Sequence, residues 1–376
     1  MAKTKTVQTF RDESLDLEAR IIAAIGSAGP RNVAQIARLT GAHQETIRYK
    51  IKKRFAGRGF RFQAEVDYSR LGLSLYWARL ELNPLYISSA SRFFDSLNRA
   101  GYLIHFSKIV PSGHFVALFA LPSGKGNDFG RFLDRLVDRR ILTDFALSKA
   151  LVERHKPMDV GHFNFQKDRW EVDWQRIKAS PGSPLPAEEV QPSKMADEVD
   201  MLMIKELQID GLQHTVGIAK KLKMNSKTLE YHFRTHIVGR KLIPRYRVRW
   251  MRDLTRSVGH ATLIAVLTFR KLHEDDYKKA QRVVSKIPHL WVEYKLKDGT
   301  YIAILAVPTG EFMEVMGYVN DELPVLGAKV ETGFMRVGES FNFTIPYNMF
   351  SDGEWKFDAG EMEDEVLKEL SGGVKK

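Results

Sequence analysis

Apolar residues recur at helical spacing in two separated stretches, and at strand spacing after each. Leu17, Ile21, Ile22 and Ile25 lie three or four apart, which predicts one buried face of a helix. Pro30 and the glycines around it break that helix. A short second helix turns Val33, Ile36, Ala37 and Leu39 inward, and Gly41 suits the sharp turn after it. A third helix puts Ile47, Ile51 and Phe55 on one stripe. Residues 197–252 repeat the plan, with Leu229, Phe233 and Ile237 as the matching stripe. Asn225 is a good N-cap there, where the first copy has the poorer His43. A short hairpin is expected after each third helix, over FRFQAEV and LIPRYRVRW. Arg58, Arg61, Arg245, Arg247 and Arg249 alternate there with Phe60, Phe62, Ile243, Tyr246 and Val248, so a strand gathers the basic residues on one face.

The repeat continues beyond the hairpins. Residue 17 placed on residue 199 aligns Ile36-Ala37 with Ile218-Ala219, Thr46 with Thr228, Tyr49 with Tyr231 and Gly57-Arg58 with Gly239-Arg240, without a gap. With a small shift, PSGHFVALFALPSG (Pro111 to Gly124) parallels KDGTYIAILAVPTG (Lys297 to Gly310), and FNF recurs at Phe163 and Phe341. Each half offers strands and helices in the order β-α-β-β-α-β, the split ferredoxin-like motif. The fold class expected is therefore α+β, as two tandem units of a winged helix-turn-helix followed by a ferredoxin-like domain. Residues 1–14 read as a tail, 15–67 and 197–252 as winged units, 68–178 and 253–358 as αβ domains, and 359–376 as a short exposed helix or disordered tail. Residues 179–196 read as a Pro/Ser-rich, semi-extended linker. The aromatic pieces after each αβ domain, with Trp170, Trp174 and Trp355, read as an added strand.

Charge sharpens this picture. Residues 15–66 carry ten Lys/Arg against four Asp/Glu, and residues 197–252 carry twelve against six. These two windows account for the whole net charge of +12. Concentrated positive charge is the footprint of a polyanion. Cysteine is absent, which excludes disulfides and thiolate chemistry and fits a cytoplasmic setting. No apolar run reaches the length of a membrane helix, and MAKTKTVQTF lacks a signal-peptide core.

The exposed face of the third helix offers Gln44, Glu45, Arg48, Tyr49 and Lys52 in the first copy, and Ser226, Lys227, Glu230, Tyr231 and Arg234 in the second. Such side chains near a helix start read base edges in a major groove. Arg58, Arg61, Arg240, Lys241, Arg245 and Arg247 would then meet the flanking phosphates. IAKKLKMNSKTLEYHFRTHIVGRKLI (Ile218 to Ile243) resembles the winged helix-turn-helix of Lrp/AsnC-type prokaryotic regulators, and IARLTGAHQETIRYKIKKRF (Ile36 to Phe55) is similar but looser. The resemblance implies a sequence-specific double-stranded DNA-binding transcriptional regulator. In that family the αβ domain pairs subunits and in many members binds an amino acid or similar effector. The family's glycine-bearing effector signature is not recognisable in either copy. Pairing is expected either inside the chain, as an internal pseudo-dimer, or as a homodimer of whole chains.

Other chemistry has weaker support. No P-loop, GxGxxG or GxSxG is present. His232 and His236 stand at i, i+4, but His236 lies beside core Ile237, at a helix end in a basic region, so no metal is expected. The reading is a non-enzyme without cofactor. One alternative is a sirohaem-decarboxylase-like tetrapyrrole enzyme on the same fold, with His105 or His289 holding the macrocycle. The other is a winged-helix protein–protein adaptor.

Overall fold

The computed structural model describes residues 16–157, 159–182, 196–250, 262–324 and 330–371. The N-terminal tail and the linker from residue 183 fall outside them. The first apolar stripe becomes α1 (Leu17–Ala28), with Ile21, Ile22 and Ile25 buried. Next, α2 (Val33–Thr40) starts on Asn32, whose side chain accepts from the Gln35 amide, and stops at Gly41 in the left-handed region. The third helix, α3 (Gln44–Tyr49), runs straight into a π-helical turn, Lys50–Phe55, and buries Ile47, Ile51 and Phe55. Strand β1 (Phe60–Glu65) leads to β2 (Leu73–Leu82), α4 (Ala90–Ala100), β3 (Leu103–Val110), β4 (Phe115–Pro122), α5 (Gly126–Asp138) and β5 (Leu142–His155). The first FNF segment opens a two-residue hairpin, β6 (Phe163–Asn164) with β7 (Arg169–Trp170), and α6 (Trp174–Ala179) follows.

The second half repeats this order. It has α7 (Glu198–Ile209), α8 (Thr215–Leu222), and α9 (Ser226–Tyr231) with its own π-helical turn, His232–Val238. Strand β8 (Arg245–Trp250) precedes β9 (Thr262–Phe269), α10 (Glu274–Val284), β10 (Leu290–Leu296), β11 (Tyr301–Pro308), α11 (Phe312–Glu322) and β12 (Val330–Asn342). A second small hairpin, β13 (Phe350–Ser351) with β14 (Glu354–Trp355), leads to α12 (Ala359–Ser371). A helix was one of the two forms expected for this segment, but it is packed rather than exposed. Its Met362, Val366 and Leu370 are buried, and Glu365 and Glu369 bind Arg99 of α4 at 2.8 and 2.6 Å.

The αβ segments of the two halves are joined through one sheet, an arrangement not foreseen from the sequence. The fold is mixed α/β, and its eight long strands close one barrel in the order β10-β11-β9-β12-β3-β4-β2-β5. Each half supplies four neighbouring strands and would alone expose two edges with unpaired backbone groups. Closure satisfies both. One seam pairs β5 with β10, setting His155 opposite Val292 and Glu153 opposite Tyr294. The other pairs β12 with β3, setting Asn342 opposite His105. Trp77, Ile104 and Leu118 of the first half share one apolar cluster with Val266, Tyr294 and Ile304 of the second.

The expected wing hairpins are also corrected. Each winged unit contributes one strand, and β1 pairs with β8 antiparallel across the two halves. The alternation read from the sequence explains why. Phe60, Phe62 and Ala64 lie opposite Trp250, Val248 and Tyr246, forming an apolar face against the helices, with Phe60 stacked on Trp250 at 4.5 Å. The other face carries Arg61, Gln63 and Glu65 opposite Arg249, Arg247 and Arg245.

Candidate functional site: a cationic cleft beneath the wing ribbon

The polar face of the ribbon lies over one mouth of the barrel. Arg245 binds Glu65 across the ribbon at 2.6 Å. Arg247 Nη1 reaches His155 Nε2 on β5 at 3.4 Å. The Arg249 guanidinium sits 4.7 Å from the centre of the Trp291 ring on β10. Burial, with Arg247 beside it, pulls Arg249 down to about 10.

Two adjoining cavities open here, both lined by Trp291. The larger, about 210 Å³, is walled by Trp170, Trp250 and Trp291, with Lys156, Arg169, Arg249 and His289 around it. The smaller, about 60 Å³, is lined by Tyr68, His105, Glu153, His155, Arg247 and Tyr294. Lys156 donates to the carbonyls of Ser285 and Ile287 at 3.0 and 2.9 Å, and burial lowers its pKa. The opposite mouth of the barrel holds a larger cavity of about 350 Å³. Its arginines pair with carboxylates, Arg79 with Glu81 and Asp144, and Arg270 with Glu331, as Arg169 of the first cavity does with Glu171 at 2.8 Å; Arg249 instead lies on the Trp291 ring.

Two histidines define the chemistry of the cleft. His289 is 4% exposed and lies edge-on to Trp170 at 4.6 Å. Neither of its ring nitrogens has a hydrogen-bond partner among the described residues. Burial first, then the charges of His162 and Lys156, push it down to about 3. It is a neutral imidazole with an available lone pair. His105 hangs from the other seam, with Nδ1 2.9 Å from the Phe341 carbonyl oxygen, and burial pushes it down to about 4. Between them, Tyr294 Oη donates to Glu153 at 3.1 Å, and Glu153 lies 3.2 Å from His155. Burial alone would raise the Glu153 carboxyl, but His155, Arg247 and Tyr294 hold it below its ordinary value.

The residues expected to meet DNA are divided by this geometry. Gln44, Glu45, Arg48, Tyr49 and Lys52 are exposed on the first third helix, as are Ser226, Lys227, Tyr231 and Arg234 on the second. Glu45 pairs with Arg48, and Glu230, half-buried, binds Thr215 and Arg234. Arg61 and Lys241 are exposed, whereas Arg58 donates to the Phe165 carbonyl at 3.0 Å and Arg240 is half-buried. Of the two β8 arginines expected on phosphates, Arg247 contacts His155 of the barrel, while Arg245 pairs with Glu65 inside the ribbon. Sequence reasoning missed Lys156, Arg169, Glu153 and Trp291. One signal was readable: at aligned positions the first copy has Gln63, Glu65 and Asp67 where the second has Arg245, Arg247 and Arg249.

No family model and no curated protein matches the sequence. Among solved structures the chain is similar to the sirohaem decarboxylase NirDL, at 12% identity and a TM-score of 0.54, over 94% of this chain and 99% of that one. The same enzyme in co-complex with an iron-uroporphyrin III analogue gives a TM-score of 0.55 over the same shares. An AsnC family transcriptional regulator from Agrobacterium tumefaciens, at 15% identity and a TM-score of 0.29, covers only 37% of this chain. These findings correct two expectations, that of a DNA-binding regulator and that of a non-enzyme. The full-length likeness is to the fold of a sirohaem decarboxylase, and two of the arginines of β8, Arg247 and Arg249, contact His155 and Trp291 of the barrel. Among the described residues no helix is long and apolar enough to cross a membrane.

Proposed function

We propose that this chain is a tetrapyrrole decarboxylase of the sirohaem decarboxylase kind, taking an iron tetrapyrrole rich in carboxylate side chains into the cleft beneath the wing ribbon. The observation that carries this is the arginine-bearing face of β8, turned onto a tryptophan-walled cavity that contains an unpaired neutral imidazole. Arg247, Arg249, Lys156 and Arg169 supply charge-assisted hydrogen bonds for peripheral carboxylates. Trp170, Trp250 and Trp291 supply flat apolar walls for a macrocycle. His289 offers a nitrogen to the iron, and His105 lines the adjoining cavity. In the reaction the bond between a side-chain carbon and its carboxylate breaks and CO2 leaves. The electron pair enters the conjugated ring, and a proton then returns to the side-chain carbon. The Tyr294–Glu153–His155 chain is the proton store that this step requires.

We read each half as one winged helix and one ferredoxin-like unit, with the boundaries given above. The internal pseudo-dimer then does in one chain what two subunits do in single-unit proteins. The support is the strand order in each half and its two closing seams. Titration of the purified protein with iron-uroporphyrin III tests the proposal. A saturable shift of the Soret band is expected, lost in His289→Ala. A spectrum identical to that of the free porphyrin at all protein concentrations would overturn it.

A further inference from the structure

We infer that the second winged unit contains a structural site for one divalent transition-metal ion of the zinc type, made by Asp197, Asp200, His232 and His236. One ligand atom from each lies within 4.8 Å of all the others. Both imidazoles turn Nδ1 toward Asp200, His232 at 2.9 Å from Oδ1 and His236 at 2.9 Å from Oδ2. Asp197 Oδ2 lies 3.5 Å from His232 Nδ1 and 3.8 Å from His236 Nδ1. Ligand atoms about 2.0–2.1 Å from a tetrahedral zinc are roughly 3.3–3.4 Å apart, and these separations bracket that value.

Charge makes the case independently of distance. Asp200 is fully buried, and among the described residues its ion-pair partners are these two imidazoles. A buried carboxylate needs a compensating charge. Asp197 is 40% exposed, so Asp200 is the carboxylate that needs such a charge, and one divalent cation held by the two imidazoles would supply it. The first copy shows what an ordinary solution looks like at the aligned positions. There Glu18 takes the place of Asp200, Lys50 that of His232 and Arg54 that of His236, and Lys50 binds Glu18 at 2.7 Å. The second copy has exchanged both fixed cations for metal-ligating side chains.

Two imidazoles favour zinc-like ions over magnesium or calcium, and four protein ligands leave no open position for catalysis. The ion would clip the start of α7 to the π-helical turn after α9. The other end of α7 holds the ribbon, since the Gln208 carbonyl accepts from Gln63 Nε2 at 2.8 Å. Sequence reasoning expected no metal here because the two histidines read as a helix end in a basic region, whereas the carboxylates come from the start of another helix, α7.

The full chain, stripped with chelator and dialysed, is titrated with Co²⁺ and, against a competing chelator dye, with Zn²⁺. The wild type is expected to bind one equivalent, to show the intense visible absorption of tetrahedral cobalt, and to melt at higher temperature with zinc. His232→Gln is expected to lose both signals. The variant D197S/D200E/H232K/H236R, which installs the first copy's ion pair, should fold without metal and give no cobalt band. Failure to bind a stoichiometric ion, a weak octahedral cobalt spectrum, or a band that survives in the fourfold variant would each overturn the assignment.

Discussion

Arg247 and His155 meet across the boundary between the wing ribbon and the barrel, Nη1 to Nε2 at 3.4 Å. One comes from the second half of the chain and the other from the first. The contact brings a strand that reads as a wing to the seam that closes the barrel. It also puts a guanidinium beside the Glu153 carboxylate and the Tyr294 hydroxyl. The β1–β8 ribbon, a barrel seam and the cleft therefore share residues.

The arginines of β8 should dominate carboxylate recognition. A hydrogen bond to a charged group contributes about 1.5–3 kcal/mol. Arg247→Ala and Arg249→Ala are each expected to weaken iron-uroporphyrin III binding by roughly tenfold to a hundredfold. Arg48→Ala and Arg234→Ala lie on exposed helix faces and should leave it unchanged. Parallel spectral titrations of the four variants check this. Equal losses in all four would mean long-range charge attraction rather than contact.

Acid should destabilise the protein through two histidines, His289, which is buried, and His105, which is half-buried. His105 and His289 sit at about 4 and about 3 in the native state, below the ordinary value of 6.5. Below about pH 6.5 the unfolded chain takes up protons that the native state refuses, so stability falls as pH falls. The loss runs down to about pH 4 for His105 and about pH 3 for His289, at up to about 1.4 kcal/mol per pH unit each. Urea midpoints at pH 7, 6 and 5 should drop less steeply for His289→Leu than for the wild type. Parallel slopes would contradict the buried neutral imidazole.

A shared barrel should melt as one body. Trp77 of the first half packs against Tyr294 of the second at 5.4 Å between ring centres. Trp77→Ala is expected to cost about 3–5 kcal/mol, and to lower the stability of both halves together. Fluorescence and hydrogen exchange on each half would follow the change. Loss confined to the first half would speak for two independently folding domains.

Much of the local structure was legible in the sequence, because helix stripes and strand alternation are short-range signals. The stripe Ile47, Ile51 and Phe55 is buried, and the alternating arginines of β8 do share one face. The direction of that face was not legible. It depends on β8 pairing with β1 from the opposite half, set by stacking such as Phe60 on Trp250, and no window of sequence contains both partners. Barrel closure was hidden for the same reason, since an edge strand reads the same whether its neighbour is solvent or another strand. His105 and His289 were visible as histidines, but the lack of a partner for either nitrogen of His289 follows only from packing.

The most direct test of the central claim is the mass of the product. Purified full-length chain is incubated anaerobically with sirohaem, and the recovered tetrapyrrole is analysed by mass spectrometry. The account predicts loss of carboxyl groups as CO2 in the wild type, with strongly reduced conversion in Arg249→Ala. Quantitative recovery of unaltered sirohaem from protein that binds it in the cleft would contradict it.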